Sequence, residues 1–109
     1  MGNRWVQLLV MMAAAALEVG GDALIRRGLT SAGPALIVLG FVTLGSYGVV
    51  VNQLSLDFSV LLGAYVGVFA IISVLFGRIF FAERVTQTTW IGLGVVLAGS
   101  AIIYYGQQR

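Results

Sequence analysis

The sequence predicts an all-α membrane protein with four transmembrane helices. Of its 109 residues, 60% are hydrophobic and only 9% are charged, and the mean hydropathy is +1.02. Four apolar stretches alternate with short spacers that hold most of the charge, and about 20 apolar residues suffice to cross a hydrocarbon core about 30 Å thick. A soluble domain of this length has a small core and does not need so much apolar surface. We therefore expect one four-helix transmembrane domain over residues 1–109.

The first two helices are predicted over residues 5–25 and 34–54. Arg26 and Arg27 favour the end of the first helix, because cations interact favourably with the carbonyl end of a helix. Pro34 suits the first position of the second helix, where its missing N–H would have had no partner in any case.

The third and fourth helices are predicted over residues 58–82 and 88–106. Asp57 marks a very short turn, so helices 2 and 3 are expected to be antiparallel neighbours. Trp90 and Tyr104 lie near opposite ends of the fourth helix, as expected for aromatic side chains at the two membrane interfaces.

The composition also argues against several classes of function. The chain has no cysteine and no histidine, which excludes disulfides and histidine proton relays and leaves no typical zinc ligands. Its net charge is +2 without any basic run, so nucleic-acid binding is not expected. No phosphate-binding loop and no nucleophile with a base can be found. We therefore expect neither catalysis, nor a metal, nor a cofactor.

Glu18 is the principal candidate for a functional residue. It lies inside the first apolar stretch, where an ionised carboxylate costs roughly 3 kcal/mol to insert. An ionisable group at such a depth is by default a candidate proton or ion site. The small residues Ala14 and Gly21 are predicted to leave space around the carboxylate. The alternative is a purely structural polar stripe that joins helix 1 to its neighbours.

Asp22 and Arg26 follow Glu18 at intervals of four residues, so all three lie on one face of helix 1. We expect Asp22 and Arg26 to form an ion pair near the membrane surface. Glu18 would then be the deep binding carboxylate, facing an interior cavity.

Two tyrosines are candidate ligand-binding residues. Tyr65 lies between Gly63 and Gly67, a spacing that favours close contact between apolar helices. Its ring or hydroxyl could face a cavity, and attraction of an organic cation to an aromatic face contributes roughly 0.5–2 kcal/mol. Tyr47 in helix 2 has the same potential. For both residues, a packed or lipid-facing side chain is an equally open interpretation.

Helix 4 carries a predicted self-association seam. Gly92 and Gly99 are seven residues apart and so lie on one face, with Val95 and Val96 between them.

The distribution of arginine specifies the orientation only weakly. Two arginines lie at the end with the termini and four at the other end: Arg4 and Arg109 against Arg26, Arg27, Arg78 and Arg84. The positive-inside rule gives the second group a slight preference for the cytoplasm. Insertion in both orientations and insertion in one fixed orientation are both compatible with so small a bias.

Several strings resemble the small multidrug resistance family of transporters, in the drug/metabolite transporter superfamily. They are Leu17-Glu18-Val19-Gly20-Gly21, Phe80-Phe81-Ala82-Glu83-Arg84 and the glycine pattern from Gly92 to Gly99. The segment from Gly63 to Phe69 also resembles a less studied branch of four-helix relatives. The chain departs from the typical pattern at Leu62, at Phe69 in place of a glycine, at Asp57 in place of a proline, and at Asp22.

The resemblance implies an antiparallel homodimer in a bacterial inner membrane. Such a protein exports small or lipophilic cations, of quaternary ammonium or guanidinium type, in exchange for protons at the paired glutamates. Glu18 would be the shared site, and helix 4 would form the seam. The expected partners are protons, a cationic small molecule, membrane lipid and a second copy of the chain. Two alternatives are a membrane protein of the same superfamily that handles lipids or lipid-linked sugars, and a non-transporting structural subunit.

Overall fold

The computed structural model describes residues 4–106, apart from the side chain of Ala32, and these residues form four long helices. The helices are α1 (Arg4–Arg27), α2 (Pro34–Val51), α3 (Phe58–Phe80) and α4 (Gln87–Gly106). Each is long and apolar enough to cross a membrane. The predicted fold class, an all-α protein with four transmembrane helices, is confirmed.

The observed helix ends differ from the predicted ones by up to three residues. The largest difference is at α2, which ends at Val51, because the N–H groups of Gln53 and Leu54 donate to the carbonyl oxygens of Val50 and Val51, three residues back, in place of the helical spacing of four. Helix α3 ends at Phe80 because Ala82 adopts a left-handed conformation with φ 51°. Helix α1 runs to Arg27 and continues into a wider π-helical turn over Gly28–Ala32.

The helices pack side by side in the order α2, α1, α3, α4. The molecule measures 50 × 34 × 19 Å, and its shortest dimension is about twice the diameter of one helix. The four helices therefore form a thin layer with α1 and α3 at its centre, and the outer faces of α2 and α4 have no partner within the described residues.

Glycines bring α1 and α2 close together. A Cβ atom added at Gly21 would lie 2.9 Å from the carbonyl oxygen of Gly40, and one added at Gly40 would lie 2.7 Å from the carbonyl oxygen of Gly21. The two backbones can approach this closely only without side chains at the crossing point.

The Gly63–Gly67 pair has the same role between α3 and α4. The Ser100 hydroxyl donates to the Gly63 carbonyl oxygen at 2.8 Å, and a Cβ atom added at Gly67 would lie 2.7 Å from Ser100 Cβ. The close helix contact predicted from this spacing is confirmed, and α4 is the partner. A second contact holds α4 against α1, because the Tyr104 hydroxyl donates to the Gln7 side-chain oxygen (2.5 Å).

The two ends of the layer carry different charge. At one end, the Arg4 guanidinium lies 4.8 Å from the centre of the Tyr105 ring. At the other end, Arg27 donates to the carbonyl oxygen of Phe80 (2.8 Å). Arg26 precedes Arg27 in the chain, and Arg78 and Arg84 lie on either side of Phe80 in the sequence. Arg109, one of the two arginines predicted at the end with the termini, lies outside the described residues.

Candidate functional site

The structure brings Glu18 and Tyr65 together. The Tyr65 hydroxyl donates a hydrogen bond to the Glu18 carboxylate, with 2.7 Å between the two oxygens. Tyr65 is only 4% exposed, whereas Glu18 is half-buried. Neighbouring helices supply the two residues, so the packing of α3 against α1 positions the carboxylate.

Aromatic rings extend the site toward α2. The Tyr47 and Tyr65 rings stack with their centres 5.3 Å apart and their planes 22° from parallel. The Phe69 ring also contacts Tyr65, with 6.1 Å between the ring centres. Within residues 4–106, the backbones of α2 and α3 do not pack against each other. The stacked rings of Tyr47 and Tyr65 therefore form the contact between these two helices beside Glu18.

The charge of Glu18 is not compensated within the described part of the chain, where no arginine comes within 4.0 Å of its carboxylate. A monovalent cation 4 Å away would interact with the carboxylate by about 4 kcal/mol at an effective dielectric constant of 20. One proton or one cation is therefore enough to neutralise the site. A tyrosine hydroxyl can donate or accept, so Tyr65 can bond to either form of the carboxyl group.

The predicted ion pair between Asp22 and Arg26 is not formed. Asp22 is exposed, and the Arg26 guanidinium lies 5.6 Å from the centre of the Phe81 ring. The Phe81 ring, next to the end of α3, is therefore the contact of the Arg26 guanidinium in place of the Asp22 carboxylate. Both residues line a cavity of about 160 Å³ between α1 and α3, together with Ser73 and Glu83.

Two predicted site residues serve packing in the described chain. Ala14 is fully buried in the core. Gly21 lies at the crossing of α1 and α2, so the absence of its side chain lets Gly40 approach. Neither position leaves an open space for a ligand beside Glu18.

Sequence reasoning missed two residues near the site. Phe69 could have been found, because it follows Tyr65 by four residues and so lies on the same face of α3. Glu83 could not. Its side chain folds back over Gly77, where the absence of a side chain leaves room, and its N–H donates to the Gly77 carbonyl oxygen at 3.0 Å.

The predicted seam on α4 is an exposed surface. Val95 is 68% and Val96 36% exposed. Nothing lies within 4 Å of a Cβ atom added at Gly92 or Gly99. The surface is therefore available to a partner, and its use in self-association stays a prediction.

Among the residues that the structure describes, no group of three or more histidine, cysteine, aspartate or glutamate side chains could hold an ion.

The fold and the site define a four-helix membrane protein with a carboxylate inside its membrane-spanning region. The chain belongs to the family described as "Uncharacterised BCR, YnfA/UPF0060 family", whose sequence pattern matches residues 5–109. This family is in the drug/metabolite transporter superfamily. The resemblance to small multidrug resistance proteins is therefore a likeness within that superfamily, and the family assignment itself is corrected to UPF0060.

Bacterial relatives match over almost their whole length. The chain is 36% identical to a UPF0060 membrane protein of Mycobacterium marinum, over 93% of this chain and 94% of the relative. It is 37% identical to a UPF0060 membrane protein of Nocardia farcinica, over 92% of this chain and 93% of the relative. It is 34% identical to one of Frankia casuarinae, over 93% of this chain and 94% of the relative. No solved structure matches the chain.

Proposed function

We propose that this protein is a proton-coupled transporter that exports small or lipophilic cations across the bacterial inner membrane. Glu18 is the shared site for proton and substrate. The observation that carries this proposal is the hydrogen bond from Tyr65 to a Glu18 carboxylate that has no cationic partner in residues 4–106. A carboxylate held in this way inside a membrane is available to an external charge.

Coupling follows from exclusive occupancy. A proton and an organic cation each neutralise the same carboxylate, so the binding of one displaces the other. If the site opens to the two sides of the membrane in turn, each cation that leaves is exchanged for protons that enter. The proton gradient then drives export without any further catalytic group.

The aromatic surroundings favour quaternary ammonium or guanidinium-like substrates. The Tyr47 and Phe69 rings both contact the Tyr65 ring, whose hydroxyl bonds to the carboxylate. An organic cation can bind to the face of a ring as well as to Glu18, whereas a small, strongly hydrated ion gains less from an aromatic surface.

A second copy of the chain would complete the site. The thin layer of four helices leaves Glu18 half-buried. A partner that packs against the exposed glycine face of α4 and covers the layer would enclose two Glu18 carboxylates in one chamber. We therefore include an antiparallel homodimer in the proposal, in line with the weak charge bias between the two ends.

The test is proton release from purified protein when a candidate cation is added, together with cation flux into proteoliposomes driven by a pH gradient. Glu18→Gln should abolish both signals and leave the melting temperature within a few degrees of the wild-type value. The matched control is Asp57→Asn, which neutralises an exposed carboxylate in the turn before α3 and should retain both activities. Wild-type rates in Glu18→Gln would refute the proposal.

A further inference from the structure

A second potential ligand site lies on the other side of α1. An apolar groove of about 480 Å³ runs between α2 and α3, with α1 as its floor. Its lining includes Gly20, Leu24 and Arg27 from α1, Thr43 from α2, and Phe76 and Phe80 from α3.

The groove is separate from the Glu18 site. Arg27 follows Glu18 by nine residues, which is about two and a half helical turns, so the two side chains point in opposite directions from α1. Gly20 lies on the same side of α1 as Arg27, and Glu18 does not line the groove. A molecule in the groove and a cation at Glu18 would therefore occupy opposite faces of the layer.

The groove is basic at one end and apolar along its length. Arg27 is its charged lining residue, and the two acidic side chains near this end, Asp22 and Glu83, line the separate cavity between α1 and α3. A guanidinium carries five N–H donors, and one of those of Arg27 is used by the Phe80 carbonyl oxygen. Donors therefore remain for an anion at the mouth of the groove.

We propose that this groove binds an anionic phospholipid of the surrounding membrane. The phosphate lies at Arg27, and the upper part of one acyl chain runs along α1 past Leu24 to Gly20. From Arg27 to Gly20 is about 10 Å along the helix axis, roughly a third of the hydrocarbon core. Basic pockets between transmembrane helices suit anionic head groups. This proposal rests on the membrane-spanning fold and is independent of transport through Glu18.

Native mass spectrometry of protein released from bilayers of equal parts phosphatidylglycerol and phosphatidylcholine tests the site. The wild-type protein should retain phosphatidylglycerol preferentially. Arg27→Gln should lower that retention about tenfold, and so should Gly20→Leu. A Cβ atom at Gly20 has only an ordinary contact of 3.9 Å with Phe76, so the added leucine fills the groove without displacing backbone.

Two matched controls carry the same chemical changes outside the groove. Arg84→Gln removes a charge at the same end of the molecule, and Gly45→Leu adds a leucine where a Cβ atom meets nothing within 4 Å. Both should retain phosphatidylglycerol at the wild-type level. Equal retention of the two lipids, or equal loss in the controls, would overturn the proposal.

A second measurement uses the unmodified chain and does not depend on the folding of variants. Phosphatidylglycerol with a diazirine on one acyl chain should crosslink to peptides that contain Leu24, Thr43 or Phe76. Unlabelled phosphatidylglycerol should compete with this crosslinking, and phosphatidylcholine should not. Crosslinks spread evenly over the lipid-facing surface would show ordinary boundary lipid. No crosslink at these residues would show that lipid does not enter the groove. Either result rejects the proposal.

Discussion

Tyr65 makes two kinds of contact at once, and both depend on its position in the middle of α3. Its hydroxyl bonds to Glu18 on α1, and its ring stacks on Tyr47 of α2. The residue is buried and close to a partly accessible carboxylate, so it can orient Glu18 without blocking the approach of a ligand. Tyr47 contributes a ring, and within the described residues its hydroxyl has no hydrogen-bond partner.

This difference between the two tyrosines leads to a prediction. Tyr65→Phe should weaken cation binding about tenfold, which corresponds to about 1.4 kcal/mol, because a hydrogen bond to a charged group contributes roughly 1.5–3 kcal/mol. Tyr47→Phe keeps the stacked ring and should bind within twofold of the wild type. Calorimetric titration of each variant with a quaternary ammonium compound measures both values. Equal losses in the two variants would contradict an orienting role for the Tyr65 hydroxyl.

At the scale of the helices, glycines determine which elements touch. Gly21 and Gly40 allow α1 and α2 to cross at short distance, while Gly63 and Gly67 do so for α3 and α4. In a lipid environment, close packing and hydrogen bonds between helices supply much of the association energy, because apolar side chains are as well solvated by lipid as by protein. A larger residue at a crossing-point glycine should therefore destabilise the fold more than a larger residue at a glycine on an open surface.

Gly21→Leu should separate α1 from α2 and destabilise the fold by roughly 1–3 kcal/mol or more, the usual range for overpacking. The added side chain would meet the backbone of α2, which cannot move aside as a flexible side chain can. The same substitution at Gly45, where a Cβ atom meets nothing within 4 Å, should have little effect. Unfolding in mixed micelles of increasing denaturing-detergent content gives the comparison. A Gly21→Leu protein as stable as Gly45→Leu would show that the crossing tolerates a wider spacing.

At the scale of the whole molecule, α4 forms one edge of the layer and has an exposed apolar surface that a partner could cover. The α4 surface around Val95 is exposed, and Gly92 and Gly99 lie on one side of that helix with open space above them. A helix from a second copy can approach this surface as closely as α1 and α2 approach each other.

Gly92→Leu or Gly99→Leu should break the dimer while the four helices still insert, because either side chain would hold the partner helix away. Gly94→Leu is the matched control, since Gly94 is equally open but lies about 200° around the helix from Gly92. Native mass spectrometry and crosslinking report the assembly state. An unchanged dimer in the first two variants would place the contact elsewhere.

The weak charge bias between the ends leads to a prediction about orientation. Three lysines added at the C-terminus should fix one orientation and destroy activity if the active dimer is antiparallel. Co-expression of Thr30→Lys/Ser31→Lys, which adds positive charge at the opposite end on exposed residues, should restore activity. A reporter at the C-terminus shows the side of the membrane. A wild-type chain that inserts one way only, and is active alone, would favour a parallel dimer.

The sequence by itself determined the number of helices, their bounds to within three residues, and the place of Glu18 inside an apolar stretch. Length, hydropathy and helix-end signals such as Pro34 are local properties, and the cost of inserting a carboxylate depends on its place in an apolar stretch. The spacing of Gly63 and Gly67 also indicated a close helix contact, although not its partner.

Only the tertiary structure decided which side chains meet. It joined Tyr65 to Glu18 across 47 positions in the chain, placed Gly21 against Gly40, and brought the Arg26 guanidinium to the Phe81 ring without an ion pair to Asp22. Helical periodicity shows which residues share a face, but not which helix that face contacts. In a membrane protein most helix faces are apolar, so the neighbour is selected by backbone fit at glycines and by a few hydrogen bonds between distant residues.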